Sequence, residues 1–277
     1  MLDWSKISAS TDWNISTLGK ISGACVDNRC HPRRFLYCLL QQNRTAIGQH
    51  IALPEEKGGI PCLLNHLYDA HILIHSHDIT SFDLSPMDKK SVFRYDAIPF
   101  DTKFDFVILD AHRFDTGNET VRWEPERMVL SQLIITFQYT VTNKTVVIRL
   151  GNIERNKTVA TLYLLSLVFK TVKVLKPRRS HMHRGSFYAV ASGFQINVES
   201  PGRLISIIYI LWTCWWEATF GGEEGNDTNP IEWWRGIFST ESLPKLFGEK
   251  LIQLAMSVWD IQITGWKSYF QKNGIKF

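Results

Sequence analysis

The chain has 277 residues, of which 44% are hydrophobic and 21% charged, and its formal net charge is +4. This composition excludes a disordered polyelectrolyte and suits one large α/β domain, with or without an appendage. The small positive charge permits a polyanionic partner without requiring one. Five cysteines without a CxxC pair argue against a zinc knuckle. They favour a reducing intracellular compartment, cytoplasmic or nuclear.

Strand-like and helix-like patterns alternate along the first two thirds of the chain. We predict a strand–loop–helix unit at 25–40, strands at 46–53, 71–79, 104–110, 144–150, 171–176 and 186–192, and helices at 124–140 and 157–169. This alternation predicts an α/β fold with a doubly wound, mostly parallel sheet. The last two strands, joined by a basic loop, suggest an antiparallel hairpin at the edge of that sheet.

The stretch 104–110 is the best candidate for a strand that positions a functional group. Three apolar residues run directly into Asp110, a pattern typical of a strand buried on both faces. Ligands of open α/β sheets bind at the carboxyl ends of the strands, so we expect Asp110 to face a crevice. The alternative is an acid that caps the following helix or turn.

Residues 200–277 differ in kind from the rest. Two helical stretches, 203–219 and 243–270, flank an acidic linker at 221–230, and seven of the ten tryptophans lie in this region. We interpret it as a helical, Trp-rich extension packed on the sheet domain at 25–199, which follows an N-terminal segment at 1–24. A membrane-surface helix is the alternative, but no lysine-rich face accompanies the aromatic residues. We expect no membrane span, because the longest apolar run falls short of the ~20 residues required.

Three histidines, His71, His75 and His77, would share one face of a strand. Because no acid or cysteine pattern completes a ligand set, we expect no metal site there.

Three stretches carry a resemblance to a known family. They are the Asp-bearing strand 104–110, the strand–helix–loop series from 144–150 to the basic loop 176–184, and the loop within 51–59. With their order and spacing, residues 20–194 resemble the FtsJ-like ribose 2′-O-methyltransferases, nearest to divergent fungal members. The resemblance implies a Rossmann-like methyltransferase fold, S-adenosylmethionine as the cofactor and RNA as the substrate.

Members of that family use a Lys-Asp-Lys-Glu set, which this sequence matches in part. The resemblance assigns catalytic positions to Asp110 for the aspartate, Arg149 for the second lysine and Ser186 for the glutamate. Arginine keeps the positive charge, but its guanidinium cannot serve as a general base near neutral pH. The alternative for Arg149 is a strand-end arginine paired with an acid such as Asp110. For the first lysine, Lys6 and Lys20 are the only candidates, and neither spacing is convincing.

The resemblance also implies positions for the cofactor. These are Asp27, Cys30, His31, Pro32, Asp78 and Asp110. Asp78 matches an acid that bonds the adenine amino group; a turn cap is its alternative. The glycine pair of the family loop is replaced by Arg33 and Arg34, whose side chains would intrude on the cofactor. We therefore expect binding of S-adenosylmethionine to be weak or lost.

Basic residues near the same edge suggest contact with an RNA backbone. The candidates are Arg33, Arg34, Arg178, Arg179 and Arg184. Their alternative is a set of solvated loop residues.

Three functions follow from these observations. The first is an active RNA methyltransferase with a diverged site. The second is a non-catalytic member of the family that binds RNA, or a protein partner through the Trp-rich region 200–277. The third is an α/β enzyme of another class that shares only the architecture.

Overall fold

The computed structural model describes residues 22–26, 47–52, 72–76, 103–110, 124–178, 182–195, 206–211, 213, 233–236 and 241–275. The strands are β1 (Ser22–Val26), β2 (Ile47–Ala52), β3 (Ile72–Ser76), β4 (Phe104–Leu109), β5 (Thr140–Leu150), β6 (Phe169–Leu175) and β7 (Phe187–Phe194). The long helices are α1 (Glu124–Tyr139), α2 (Asn156–Val168) and α3 (Leu243–Lys272). Residues 206–211 are also helical, and Trp233–Gly236 forms a 3₁₀ turn.

The seven strands form one sheet in the order β3-β2-β1-β4-β5-β7-β6. All neighbours from β3 to β5 pair in parallel, whereas β7 is antiparallel to both β5 and β6. The predicted mostly parallel α/β sheet is therefore confirmed, and so is the antiparallel pairing of the last two strands. The position of β7 inside the sheet was not predicted.

Burial explains why β7 lies inside the sheet and β6 at its edge. The first five residues of β7, Phe187–Ala191, are all buried, as expected for a strand covered on both faces. In β6 the exposed residues include Lys170 and Lys173. Lysines are common on edge strands, where they discourage pairing with another sheet.

The core lies between the sheet and its helices. In β4 the residues Phe106, Val107, Ile108 and Leu109 are almost completely buried. α1 is buried on all sides from residue 130 to its end, including several polar residues. The hydroxyls of Thr136 and of Thr140, which follows the helix, donate to carbonyls one turn earlier. Both hydroxyls therefore have a hydrogen-bond partner although they are buried. The helix runs directly into β5, which begins at Thr140 rather than at the predicted residue 144.

In the described residues, α3 packs on the sheet through one face. Phe247, Ala255 and Val258 of this helix join the same core cluster as the strands, and α3 contacts both β6 and α2. Trp234 of the 3₁₀ turn is buried in that cluster as well. Among the helices that the structure describes, none has the length and apolarity that crossing a membrane requires.

This packing predicts that the two faces of α3 respond differently to a charge. Val258 is 1% exposed and Met256 is 56% exposed. We expect Val258→Asp to lower the free energy of unfolding by about 3 kcal/mol or more, because a carboxylate would enter the core. Met256→Asp should change it by less than about 0.5 kcal/mol. Urea unfolding measures both, and equal effects would show that α3 does not pack on the sheet.

Candidate active site

The topology defines where a ligand would bind. β2 and β3 lie on one side of β1, and β5 lies beyond β4, so the strand order reverses between β1 and β4. Such a switch point opens a crevice at the carboxyl ends of the two strands. Val26 at the end of β1 pairs with Leu109 at the end of β4. Asp110 follows Leu109 and therefore stands at the edge where we expected it.

A row of three side chains crosses the sheet at this edge. Leu109 is in register with Ile148, which brings Asp110 beside Arg149 of β5, and Arg149 pairs with Tyr188 of β7. Residues in register on adjacent strands share a face of the sheet. Arg149 Nη1 donates a hydrogen bond to Asp110 Oδ1 at 3.2 Å, and Tyr188 Oη donates to Oδ2 at 3.2 Å. We call these three residues the Asp110 cluster.

Burial makes the partners of Asp110 necessary. The aspartate is 0% exposed, and the side chain of Arg149 is 13% exposed. A carboxylate removed from water is tolerated when a counter-ion and hydrogen-bond donors replace its hydration. The alternative that Arg149 pairs with Asp110 is therefore what the structure contains. The pair keeps the charge arrangement of a lysine–aspartate contact, but its cation cannot release a proton near neutral pH.

Tyr188 is the member of the cluster that sequence reasoning missed, because the pattern indicates it only as part of the last strand. It lies two residues after Ser186, so both residues lie on the same side of the chain as it enters β7. A tyrosine at that spacing from an expected site residue is a signal that the sequence offered.

Ser186 stands at the same edge, just before β7 begins. Its backbone carbonyl accepts a hydrogen bond from Lys176 Nζ at 3.3 Å, and Lys176 Nζ also donates to the carbonyl of Arg184. Lys176 is buried, and this burial lowers the pKa of its ammonium group, an effect that the charge of Glu154 opposes. Lys176 is therefore not a solvated residue. It lies at the start of the loop and connects it to two carbonyls at the loop's end.

Three of the predicted RNA-binding arginines belong to this loop, and the structure describes two of them. Arg178 and Arg184 are exposed. Because β6 runs in the same direction as β5, its carboxyl end and the loop that follows lie at the edge of the sheet that carries Asp110.

The other predicted site residues lie outside the described residues. They are Asp27, Cys30, His31, Pro32, Arg33, Arg34, Asp78 and Arg179, together with His71 and His77 of the histidine group. Their assignments stay predictions.

The family model for FtsJ-like methyltransferases matches residues 9–194. The chain belongs to the FtsJ-like methyltransferase family. The match ends at the last residue of β7, so it includes the whole sheet and leaves α3 outside.

Two solved structures are similar to this chain at low sequence identity. One is assigned as a ribosomal RNA methyltransferase from Plasmodium falciparum, with 18% identity, a TM-score of 0.44, and coverage of 69% of this chain and 95% of that one. Another is assigned as an rRNA methylase from Clostridium thermocellum, with 13% identity, a TM-score of 0.43, and coverage of 68% and 97%. No curated relative matches the sequence.

The geometry of the Asp110 cluster predicts an order of mutational effects. Arg149→Met should lower the free energy of unfolding by about 3 kcal/mol or more, because it leaves a buried carboxylate without its counter-ion. Tyr188→Phe removes one hydrogen bond to that carboxylate and should cost about 1–3 kcal/mol. In the Arg149→Met background, Asp110→Asn should recover part of the loss. Urea unfolding of the wild type and these variants is the measurement, and an unchanged stability in Arg149→Met would contradict the ion pair.

Proposed function

We propose that this protein is an RNA-binding member of the FtsJ-like family whose site holds a ribose but no longer transfers a methyl group efficiently. The observation that carries the proposal is the Asp110 cluster, in which a fully buried carboxylate is held by a guanidinium and a phenol.

The chemistry of the family explains why this arrangement matters. When bound, S-adenosylmethionine supplies an electrophilic methyl group, and the ribose hydroxyl must lose its proton as it attacks. Arg149 cannot accept that proton, because its guanidinium stays protonated near neutral pH. Asp110 has each oxygen engaged by a donor, and withdrawing it from Arg149 would leave a buried charge poorly compensated. These contacts support a site that holds a fixed geometry for binding rather than one that accepts the proton of the hydroxyl.

The fold fits a nucleoside-containing cofactor in part. The crevice at the ends of β1 and β4 is the usual position for such a ligand. Asp27 follows β1 directly, and Asp78 follows β3 by two residues. These are the residues that would hold the cofactor. Against a tight fit stand Arg33 and Arg34, because they replace glycines that let the backbone approach the ligand.

Cofactor binding gives a direct test. We expect calorimetric titration with S-adenosylmethionine and with S-adenosylhomocysteine to show weak or no binding by the wild type, since two long side chains replace glycines of the family's cofactor loop. The paired variant Arg33→Gly, Arg34→Gly should bind more tightly than the wild type. Tight, stoichiometric binding by the wild type would refute this prediction and favour an active enzyme.

RNA is the partner that the charge distribution supports. Arg178 and Arg184 project from a loop at the edge that carries Asp110, where a ribose would lie. Contacts from such residues to phosphates position a strand without reading its sequence. We therefore expect affinity that depends on salt and discriminates little between RNAs.

A salt series on matched variants tests this partner. The double variant Arg178→Ala, Arg184→Ala should weaken binding of unrelated RNAs about equally. It should also flatten the salt slope on a single strand by about 0.7 for each phosphate that the protein no longer neutralises. Lys170→Ala removes one positive charge at the amino end of β6, the end opposite to the loop, and should change little. Gel-shift titration across salt is the measurement. Absence of RNA binding by the wild type at low salt would overturn the proposal.

An active ribose 2′-O-methyltransferase is the second candidate. It is favoured by the position of Asp110 at the switch point, with a cation 3.2 Å away, as the family's chemistry requires. In that case Asp110 itself would take the proton. Methyl transfer from S-adenosylmethionine to RNA by the wild type would establish this candidate. An Arg149→Lys variant that transfers methyl groups while the wild type does not would support our first proposal instead.

A further inference from the structure

The loop between β6 and β7 is held against the C-terminal half of α3. Gly265 is buried in the helix at this contact. A Cβ atom at this position would overlap the Met182 side chain and lie 3.0 Å from the Met182 carbonyl oxygen. The loop backbone approaches the helix so closely that a side chain at 265 would displace it. Lys176 donates to the carbonyls of Arg184 and Ser186, so the part of the loop from residue 182 to 186 is supported both by α3 and by Lys176.

This contact assembles an aromatic cluster from two distant parts of the chain. The His183 ring centroid lies 5.8 Å from that of Trp266 and 5.8 Å from that of Tyr269. Trp266 also stacks on Phe270, with centroids 5.7 Å apart. We call His183, Trp266, Tyr269 and Phe270 the aromatic platform. Tyr269 is 45% exposed and His183 is exposed as well, so the platform is part of the surface.

Basic residues neighbour the platform residues in the chain. Arg184 follows His183 directly, and Lys267 and Lys272 belong to the same end of α3; all three are exposed. Neither 176–186 nor 261–277 contains a single aspartate or glutamate. Aromatic rings beside cations are what proteins use to bind single-stranded nucleic acid, since bases stack on the rings while the cations follow the phosphates.

We infer that the aromatic platform and its cations bind single-stranded RNA, with unpaired bases stacking on Tyr269 and His183. The inference rests on the proposed function, because it extends the RNA site away from Asp110. The loop that carries His183 begins at the carboxyl end of β6, on the same edge as the Asp110 cluster. An RNA strand that enters this edge therefore continues onto the platform, and the substrate class is RNA that is unpaired next to the nucleotide held at Asp110.

A second exposed apolar surface on α3 provides the matched control. Ile252, Met256, Trp259 and Ile263 are exposed at helical spacing upstream of the platform. Asp260 lies in this segment and no lysine or arginine does, so a polyanion would meet a carboxylate there. Trp259 is 41% exposed and Tyr269 is 45% exposed, so the two rings on this helix are similarly accessible. They differ because Trp259 lies next to a carboxylate, which repels a polyanion.

The experiment measures fluorescence anisotropy of labelled oligonucleotides of about 12 nucleotides, a length that suits one such site. The ligands are a single-stranded RNA, the same RNA in a duplex, and a single strand with abasic positions. The full chain is compared as wild type, Tyr269→Leu, Tyr269→Phe and Trp259→Leu. Leucine keeps apolar bulk without an aromatic face, so urea unfolding should show that every variant stays folded.

We expect Tyr269→Leu to bind the single strand about 10-fold more weakly, because a base can no longer stack on the ring. Its salt slope should not change, because the cations that neutralise phosphates are all kept. Tyr269→Phe should stay within about 2-fold of the wild type, since it keeps the ring. Trp259→Leu should bind like the wild type. Duplex and abasic RNA should bind more weakly than the single strand and should not distinguish Tyr269→Leu from the wild type.

Three results would overturn the inference, and they differ in whether they also reject the proposed function. RNA binding that is salt-dependent but equal for Tyr269→Leu and the wild type rejects the platform and leaves the proposed function intact. Equal weakening by Trp259→Leu and Tyr269→Leu does the same, because it would place the contact along the whole helix. Absence of RNA binding by the wild type at low salt rejects both, and the Trp-rich extension would then be tested for a protein partner.

Discussion

A buried carboxylate at the end of the central strand constrains how three strands of the sheet pair. Asp110 is tolerated without water because Arg149 and Tyr188 each donate to one of its oxygens. Those donors come from β5 and β7, so the ion pair holds only if three strands keep their register. A slip of one residue in β5 would turn Arg149 to the other face of the sheet. The need to neutralise the buried Asp110 carboxylate therefore favours one register of β4, β5 and β7, in the part of the sheet where the strand direction changes.

The ion pair of Asp110 and Arg149 fits the family's fold but departs from the lysine–aspartate pair of the family's chemistry. A lysine beside an aspartate can share and release a proton, whereas a guanidinium beside an aspartate holds charge and geometry only. The protein keeps the strand switch point and a cation beside Asp110. In the proposed function this architecture orients a ribose, and an arginine stands where the family's chemistry uses a lysine. Retained architecture with altered chemistry is why RNA binding and methyl transfer must be measured separately.

The C-terminal helix extends the domain rather than standing apart from it. The family match ends at the last strand, yet Phe247, Ala255 and Val258 of α3 belong to the same core as the sheet. Further along, α3 holds the loop after β6 in place through Gly265 and the rings around His183. A truncation near Phe194 would therefore remove core contacts and a support of the predicted RNA-binding loop together. For that reason point variants are the sharper tests of this region.

Local patterns in the sequence determined which segments are strands and helices, the position of Asp110 at a strand end, and the helix at 243–270. Each of these depends on burial or periodicity over a few consecutive residues, which the sequence shows directly. Family resemblance added the partners expected near Asp110, and the assignments of Asp27, Asp78 and the 30–34 loop remain predictions. Only the tertiary structure decided that Tyr188 bonds Asp110, that β7 lies between β5 and β6, that Lys176 is buried, and that Met182 meets Gly265. These contacts join residues far apart in the chain, and their register and distances follow from the packing of whole elements, which no local pattern encodes.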